Sequence, residues 1–189
     1  MVIDSLNLKI RLAALAVQRG GVVAYPTEAV WGLGCDPFNP DAVRRVLELK
    51  NRACTKGLIL IAAGIDQLEP FLTGINRRQR EILQQSWPGP NTWLVPNNGV
   101  APCLVSGGRP TLALRVTGHP VAAALCRAVS GPVVSTSANP QGLAPARSAL
   151  KVRCYFKDGL DAILPGAIGG AANPTVIRDL ETGQVVRPA

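Results

Sequence analysis

The sequence predicts an α/β fold, one domain spanning 1–189 with a mixed sheet flanked by helices. Three observations lead there. Short, unbroken apolar runs alternate with helical patterns, the way strands of a largely internal sheet read beside their helices. The 189 residues are 47% hydrophobic and 17% charged, enough to close one core and too apolar for intrinsic disorder. The last forty residues carry only short apolar pairs separated by Gly-Gly, Asn-Pro and Thr-Gly, which read as antiparallel additions to that sheet.

Each element has its own signal. Leu6, Leu8, Ile10, Leu12, Ala13, Leu15, Ala16 and Val17 lead into Gly20-Gly21, a helix with a glycine stop. Val22–Tyr25 reads as a buried strand closed by Pro26. Asn39-Pro40-Asp41 starts a helix with a capping Asn, Pro at the first position and an acid in the first turn. Val43, Val46 and Leu47 form its inner face, and it runs to about Lys50. Leu58–Ile61 is a second strand, 76–86 a polar helix and Thr92–Pro96 a short strand. Leu112–Val116 is a strand, Pro120–Val129 a helix and Pro132–Ser135 a strand. Ile163-Leu164, Val176-Ile177 and Val185-Val186 are the three late additions.

Charge gives the first functional direction. Twenty Lys+Arg against twelve Asp+Glu leave +8, and fifteen of the twenty are Arg. The planar guanidinium fork matches two oxygens of a phosphate or carboxylate, so a nucleotide or nucleic acid is the expected partner. Arg77-Arg78-Gln79-Arg80, the densest basic run, reads as a solvated helix face. Cys35, Cys54, Cys103, Cys126 and Cys154 show no C-x-x-C pair and, with His119 as the one histidine, no zinc spacing. They are expected to be buried reduced thiols of a cytosolic protein. His119, just before Pro120, reads as a helix cap. No apolar run approaches the roughly 20 residues of a membrane span, and Met1–Ser5 has no basic leader region.

Familiar nucleotide signatures are missing, since no G-x-x-x-x-G-K-[ST] occurs and Gly32-Leu33-Gly34 lacks a third glycine. Polar clusters stand instead at the ends of apolar elements. Thr27-Glu28 follows the first strand; it suits a turn capped by Thr27 with Trp31 in the core as well as it suits a site. Lys50 breaks the apolar face of its helix, and in an extended chain Lys50 and Arg52 converge on one anion. They equally suit cations compensating a helix C-terminus. Ser135, Ser137 and Asn139 point one way if the chain stays extended, and neutral hydroxyls and an amide can bind phosphate or ribose. Arg115, between Leu114 and Val116, must leave its strand on the opposite face and needs an anionic partner.

Taken together these clusters resemble the YrdC family in its short bacterial form. The resemblance rests on Pro26-Thr27-Glu28-Ala29-Val30-Trp31-Gly32-Leu33, Lys50-x-Arg52, Lys56–Leu60, Trp87-Pro88-Gly89-Pro90-x-Thr92, Ser135–Asn139 and Asn173-Pro174-Thr175, in family order from about residue 20 to Arg187. It implies a twisted mixed sheet around a basic concave site, and synthesis of threonylcarbamoyl-AMP and pyrophosphate from L-threonine, bicarbonate and ATP. That product serves the modified adenosine beside the anticodon of tRNA. Thr27, Arg115, Ser135 and Thr175 would surround threonine. Lys50, Arg52, Thr111, Ser137, Asn139 and Arg187 would hold ATP, and Lys50, Arg52 and Lys56 are the expected catalytic residues. Mg²⁺ would travel with the nucleotide, with no protein-bound metal. Implied partners are tRNA or double-stranded RNA and a downstream transferase complex of TsaD-, TsaB- and TsaE-type proteins, all in the cytoplasm.

The chain departs from the family pattern in places. Ala53 stands where many members have proline, Pro140-Gln141-Gly142 replaces the commoner residue-Ser-Gly, and the chain stops just past Arg187, without the extra domain of long members. Two competing classes follow from the same residues. One is an RNA-binding module acting through shape and phosphate contacts, although eight aromatics offer little base stacking. The other is carbamoyl transfer of the hydrogenase-maturation kind, whose acylphosphatase-like and zinc-finger segments are absent from this sequence.

Overall fold

The computed structural model describes residues 5–188; the reading of Met1–Asp4 lies outside them. In chain order the elements are α1 (Ser5–Gln18), β1 (Val23–Pro26), β2 (Trp31–Gly34), α2 (Pro40–Leu49), β3 (Ile59–Ala62), α3 (Arg77–Ser86), β4 (Asn91–Pro96), α4 (Cys103–Ser106), β5 (Thr111–Val116), α5 (Pro120–Val129), β6 (Val133–Ser137), α6 (Ala149–Phe156), β7 (Ala162–Ile163), β8 (Val176–Asp179) and β9 (Val185–Arg187). Among the described residues the strands form one sheet in the order β7-β1-β2-β6-β3-β5-β4-β8-β9. It is mixed: β3 runs parallel to β5, while β6 and β4 run antiparallel to them.

Strand alternation builds the layers and leaves the site open. Leu60, Leu114, Val116 and Val134 point to one face and pack with Val43, Val46 and Leu47 of α2 and Leu83 of α3. Their neighbours Ile61 and Val133 point to the other face, beneath Ala13, Val17, Ala122 and Leu125 of α1 and α5. Arg115 pairs with Ile61 and Ser135 with Ile59, so both lie on this second face. The helices α1 and α5 cover only part of it. The uncovered part is where polar side chains accumulate.

Several expectations are corrected. The Trp31–Gly34 segment, to which the sequence assigns no element, is strand β2 paired with β1 and β6. Its glycines are there for close approach: a Cβ on Gly34 would stand 2.7 Å from the Tyr25 ring and 2.6 Å from the Val134 carbonyl. Of the three late additions only β9 joins antiparallel, to β8; β7 and β8 run parallel to β1 and β4. The helix α6 went unread in a stretch with weak periodicity. Cys35 and Cys126 are buried, but Cys54, Cys103 and Cys154 are exposed. His119 occupies the N-cap position of α5, yet its side chain makes no cap; Nε2 meets the Ala167 carbonyl at 3.0 Å. No described helix is long and apolar enough to cross a membrane.

Candidate functional site

A cavity of about 390 Å³ opens on the uncovered sheet face. Nine of the eleven predicted positions line it: Thr27, Arg52, Lys56, Thr111, Arg115, Ser135, Ser137, Thr175 and Arg187. They arrive from strand interiors, strand ends and the loops just beyond them. Lys50 and Asn139 do not line it, and both departures have local causes.

The helix α2 ends in a left-handed residue. Asn51 has φ 49°, and the amides of Asn51 and Arg52 bond back to the carbonyls of Glu48 and Leu47 at 2.9 Å each, which is the Schellman pattern with Asn in the position usually held by Gly. The turn separates the two cations that an extended chain would have aligned. Lys50 Nζ donates to the backbone carbonyls of Ser137 and Asn139, the second at 2.7 Å. Burial, with the nearby Arg52 charge, pushes the Lys50 ammonium down to about 8. Asn139 lies past the end of β6, where its amide bonds to Ser137 O and its side chain donates to Leu143 O at 2.6 Å. Lys50 thus clamps the end of β6, and Asn139 closes the turn after it.

Positive charge runs along the cavity. Burial and then the charges of Arg109 and Arg187 lower the pKa of Arg52; burial and then Arg115 lower that of Arg187. Arg52, Arg109, Arg115 and Arg187 all line the one cavity. Arg52 Nη2 donates to Gly57 O at 2.9 Å, and its buried Nε has no hydrogen-bond partner. Lys56, exposed, reaches Gln141 Oε1 at 3.1 Å. Arg187 donates to the Thr175 carbonyl at 3.0 Å, and the Thr175 hydroxyl stands 3.0 Å from that of buried Thr92.

Arg115 is 6% exposed and also keeps an unpartnered Nε. Its Nη1 lies 3.3 Å from Glu28 Oε2. Around it stand the neutral hydroxyls of Thr27 and Ser135. Thr27 Oγ1 donates to Val30 O at 2.6 Å, which leaves it an acceptor toward the cavity. Beneath Ser135 the Tyr25 hydroxyl donates to Val134 O at 3.0 Å, and burial raises the pKa of that phenol. Buried donors without acceptors are costly. The wall is therefore built to be completed by an anion.

Sequence reasoning missed Arg109 and gave Glu28 no role. Arg109 lines the cavity from the turn before β5 and donates to Thr55 O at 3.1 Å; the signal was an arginine at a strand entrance, directly before Pro110. Glu28 was the one acid in the apolar 26–33 stretch.

The Sua5/YciO/YrdC family pattern, described as telomere recombination, matches residues 15–189. The chain is 58% identical over 185 residues to threonylcarbamoyl-AMP synthase of Cellvibrio japonicus, covering 98% of each. Among solved structures, P. abyssi Sua5 in complex with L-threonine superposes with TM-score 0.90 at 32% identity, over 96% of this chain and 54% of Sua5. E. coli YciO shares the fold, with TM-score 0.84 at 24% identity over 96% of this chain and 89% of YciO.

Proposed function

The chain belongs to the Sua5/YciO/YrdC family, and on that premise we propose that it is a nucleotidyltransferase, acting as one domain, that makes threonylcarbamoyl-AMP. The substrates are L-threonine, bicarbonate and ATP; the other products are pyrophosphate and water. One observation carries the reading. In the cavity a buried arginine with an unfilled donor stands with neutral hydroxyls, and three further arginines, Arg52, Arg109 and Arg187, line the same wall. A lone carboxylate suits the first, a polyphosphate the second.

Threonine would set its carboxylate on Arg115, with Thr27, Ser135 and Thr175 around the rest of it. Its ammonium gives one proton to solvent, and the amine adds to the bicarbonate carbon as water leaves. The resulting carbamate oxygen attacks the α-phosphorus of ATP, and the bond to pyrophosphate breaks. Arg52, Arg109 and Arg187 compensate the charge that develops, and Ser137 and Thr111 add neutral donors. Such a transfer relies on positioning and charge compensation more than on a dedicated base. Lys56, at the exposed rim, suits the bicarbonate or the departing phosphates. Lys50 contributes by fixing the Ser137 end of β6.

Mg²⁺ would enter on the triphosphate, because the wall offers cations and hydroxyls and its neighbouring carboxylate, Glu28, is engaged by Arg115. Among the described residues no three His, Cys, Asp or Glu side chains stand together as a metal cage. Free thiols fit the cytoplasm. TsaD-, TsaB- and TsaE-type proteins would consume the product. Contact with tRNA or double-stranded RNA would fall to the exposed cations Lys151 and Arg153 of α6 with Arg147 and Lys157 just beyond its two ends.

The test is pyrophosphate release with each substrate omitted in turn. Release should require all three. Release indifferent to threonine overturns the synthase reading, and tight RNA binding without turnover puts a binding module in its place.

A further inference from the structure

Glu28 is a carboxylate beside the cavity, paired with its lining residue Arg115, and an acid there invites assignment as the proton carrier of the reaction. Its surroundings argue otherwise. Oε1 accepts from the Thr117 hydroxyl at 2.7 Å and from the Gly118 amide at 3.0 Å, while Oε2 faces Arg115 Nη1 at 3.3 Å. Glu28 itself is not among the cavity-lining residues, whereas Arg115 is. The side chains of the pair are 14% and 7% exposed. The carboxylate is thus held from the loop after β5 and faces the guanidinium from outside the cavity.

The backbone at Glu28 is equally engaged. The Glu28 carbonyl accepts from the Ala171 amide at 3.1 Å, and the Thr27 carbonyl from the Gly169 amide at 2.9 Å. A Cβ on Gly169 would stand 2.8 Å from the Glu28 carbonyl oxygen, so this strap seats directly on the Thr27-Glu28 turn. The same strap continues to Thr175 in the cavity wall. Three segments that carry Arg115, Thr27 and Thr175 therefore meet at one residue.

We propose that Glu28 is a positioning residue that fixes the Arg115 guanidinium for a carboxylate ligand, and not an acid or base in the reaction. Paired with Glu28 by charge at Nη1, although Glu28 Oε2 makes no hydrogen bond, the guanidinium keeps its buried Nε unpartnered, and a carboxylate is the ligand that takes two parallel donors of a fork. A carboxylate required to trade protons would need to reach the reacting atoms, and this one is turned toward Thr117. Burial raises its pKa, but Arg115 and the bonds from Thr117 and Gly118 outweigh that and keep it ionised. This inference rests on the threonine reading above.

The experiment compares L-threonine with L-threoninamide, which lacks the carboxylate charge, in the full-length wild type and in Glu28→Gln. Glu28→Gln should raise the threonine KM roughly 10- to 100-fold, the scale of a lost charge-assisted hydrogen bond, with kcat and ATP affinity nearly unchanged. The preference for threonine over threoninamide should collapse with it. A structural role alone would weaken both amino acids equally, and a proton-transfer role would lower kcat; either result overturns the proposal. Thr117→Val, which removes one bond that holds Glu28, should shift the same ratio by a smaller factor, and an unchanged ratio there counts against it as well. Independently of turnover, the Arg115 Nε–H resonance should move or broaden in Glu28→Gln. A wild type that never uses threonine defeats the functional reading, while an unmoved Arg115 resonance defeats this one.

Discussion

Lys50 and Arg115 are both buried cations, 4% and 6% exposed, in two regions that satisfy them differently. At the junction of α2 and β6, the Lys50 ammonium meets backbone carbonyls of Ser137 and Asn139, and Asn139 Oδ1 lies 3.5 Å away. On β5, Arg115 has one ion pair and a donor left over. The first arrangement is complete within the chain. The second waits for a partner. A buried cation in an apolar segment therefore announces that something must answer it, and only the geometry says whether the answer is the fold or a ligand.

The largest effects expected are those that cross the two regions. Arg52, which shares the cavity with Arg115, should on replacement by Ala lose more than about 1.5 kcal/mol of transition-state stabilisation with little change in melting temperature. Lys50→Met should do the reverse, costing about 2 kcal/mol of folding stability, chiefly through the Asn139 carbonyl it orphans, since Ser137 O keeps the Asn139 amide, with the smaller loss of turnover. Arg78→Ala, on the exposed face of α3, should change neither. Steady-state kinetics and thermal melts on the three variants decide it. If Lys50→Met abolishes turnover in a protein that melts like the wild type, its ammonium serves the substrate and the contrast is broken.

A smaller effect follows from pH. Burial brings Lys50 down from 10.5 to about 8. Between those values the unfolded chain holds a proton that the folded chain has released, so stability contributed here rises with pH across the window and is flat below it. The gap between wild type and Lys50→Met should widen from pH 8 to 10.5, because only the wild type releases this proton on folding. Denaturant titrations of both proteins at several pH values measure the gap. A gap that narrows over the window would mean that the carbonyls hold the ammonium charged.

The same contrast explains what could be read from the sequence. The strands β3, β5 and β6 and the helices α2 and α5 were legible because their apolar runs and caps are local signals; the Asn39 side chain does accept from Asp41 and Ala42. Arg115 was legible because an arginine inside an apolar strand breaks a two-residue pattern. Its partner was not, since Glu28 is 87 positions away and only the order of the sheet, with β6 and β3 between β2 and β5, brings them together. The fate of Lys50 turned on one left-handed residue, Asn51, which no periodicity reveals. β2 was hidden because its glycines, which weaken a strand pattern, are demanded by close approach, Gly34 by a tyrosine ring from the neighbouring strand. Short β7 and β8 had no signal of direction at all, since parallel pairing depends on where the chain returns.

The smallest effect sharpens the picture of the loop that joins the two regions. Ala53 follows Arg52, at the position where the family resemblance leads one to expect proline. It already holds φ −61° and ψ 134°, which is the φ that a pyrrolidine ring imposes. No hydrogen bond from the Ala53 amide occurs among the described residues, so the ring would remove none. Ala53→Pro should therefore stabilise the protein by about 0.4–1 kcal/mol, chiefly by restricting the unfolded chain, and leave the KM for ATP and threonine unchanged. The residue before a proline is driven out of the helical region, and here that residue is Arg52, just past the end of α2. A thermal melt together with both KM values tests the two halves of the statement. If stability falls and ATP use weakens together, Arg52 needs a backbone conformation that proline forbids, and its place in the cavity depends on Ala53 being there.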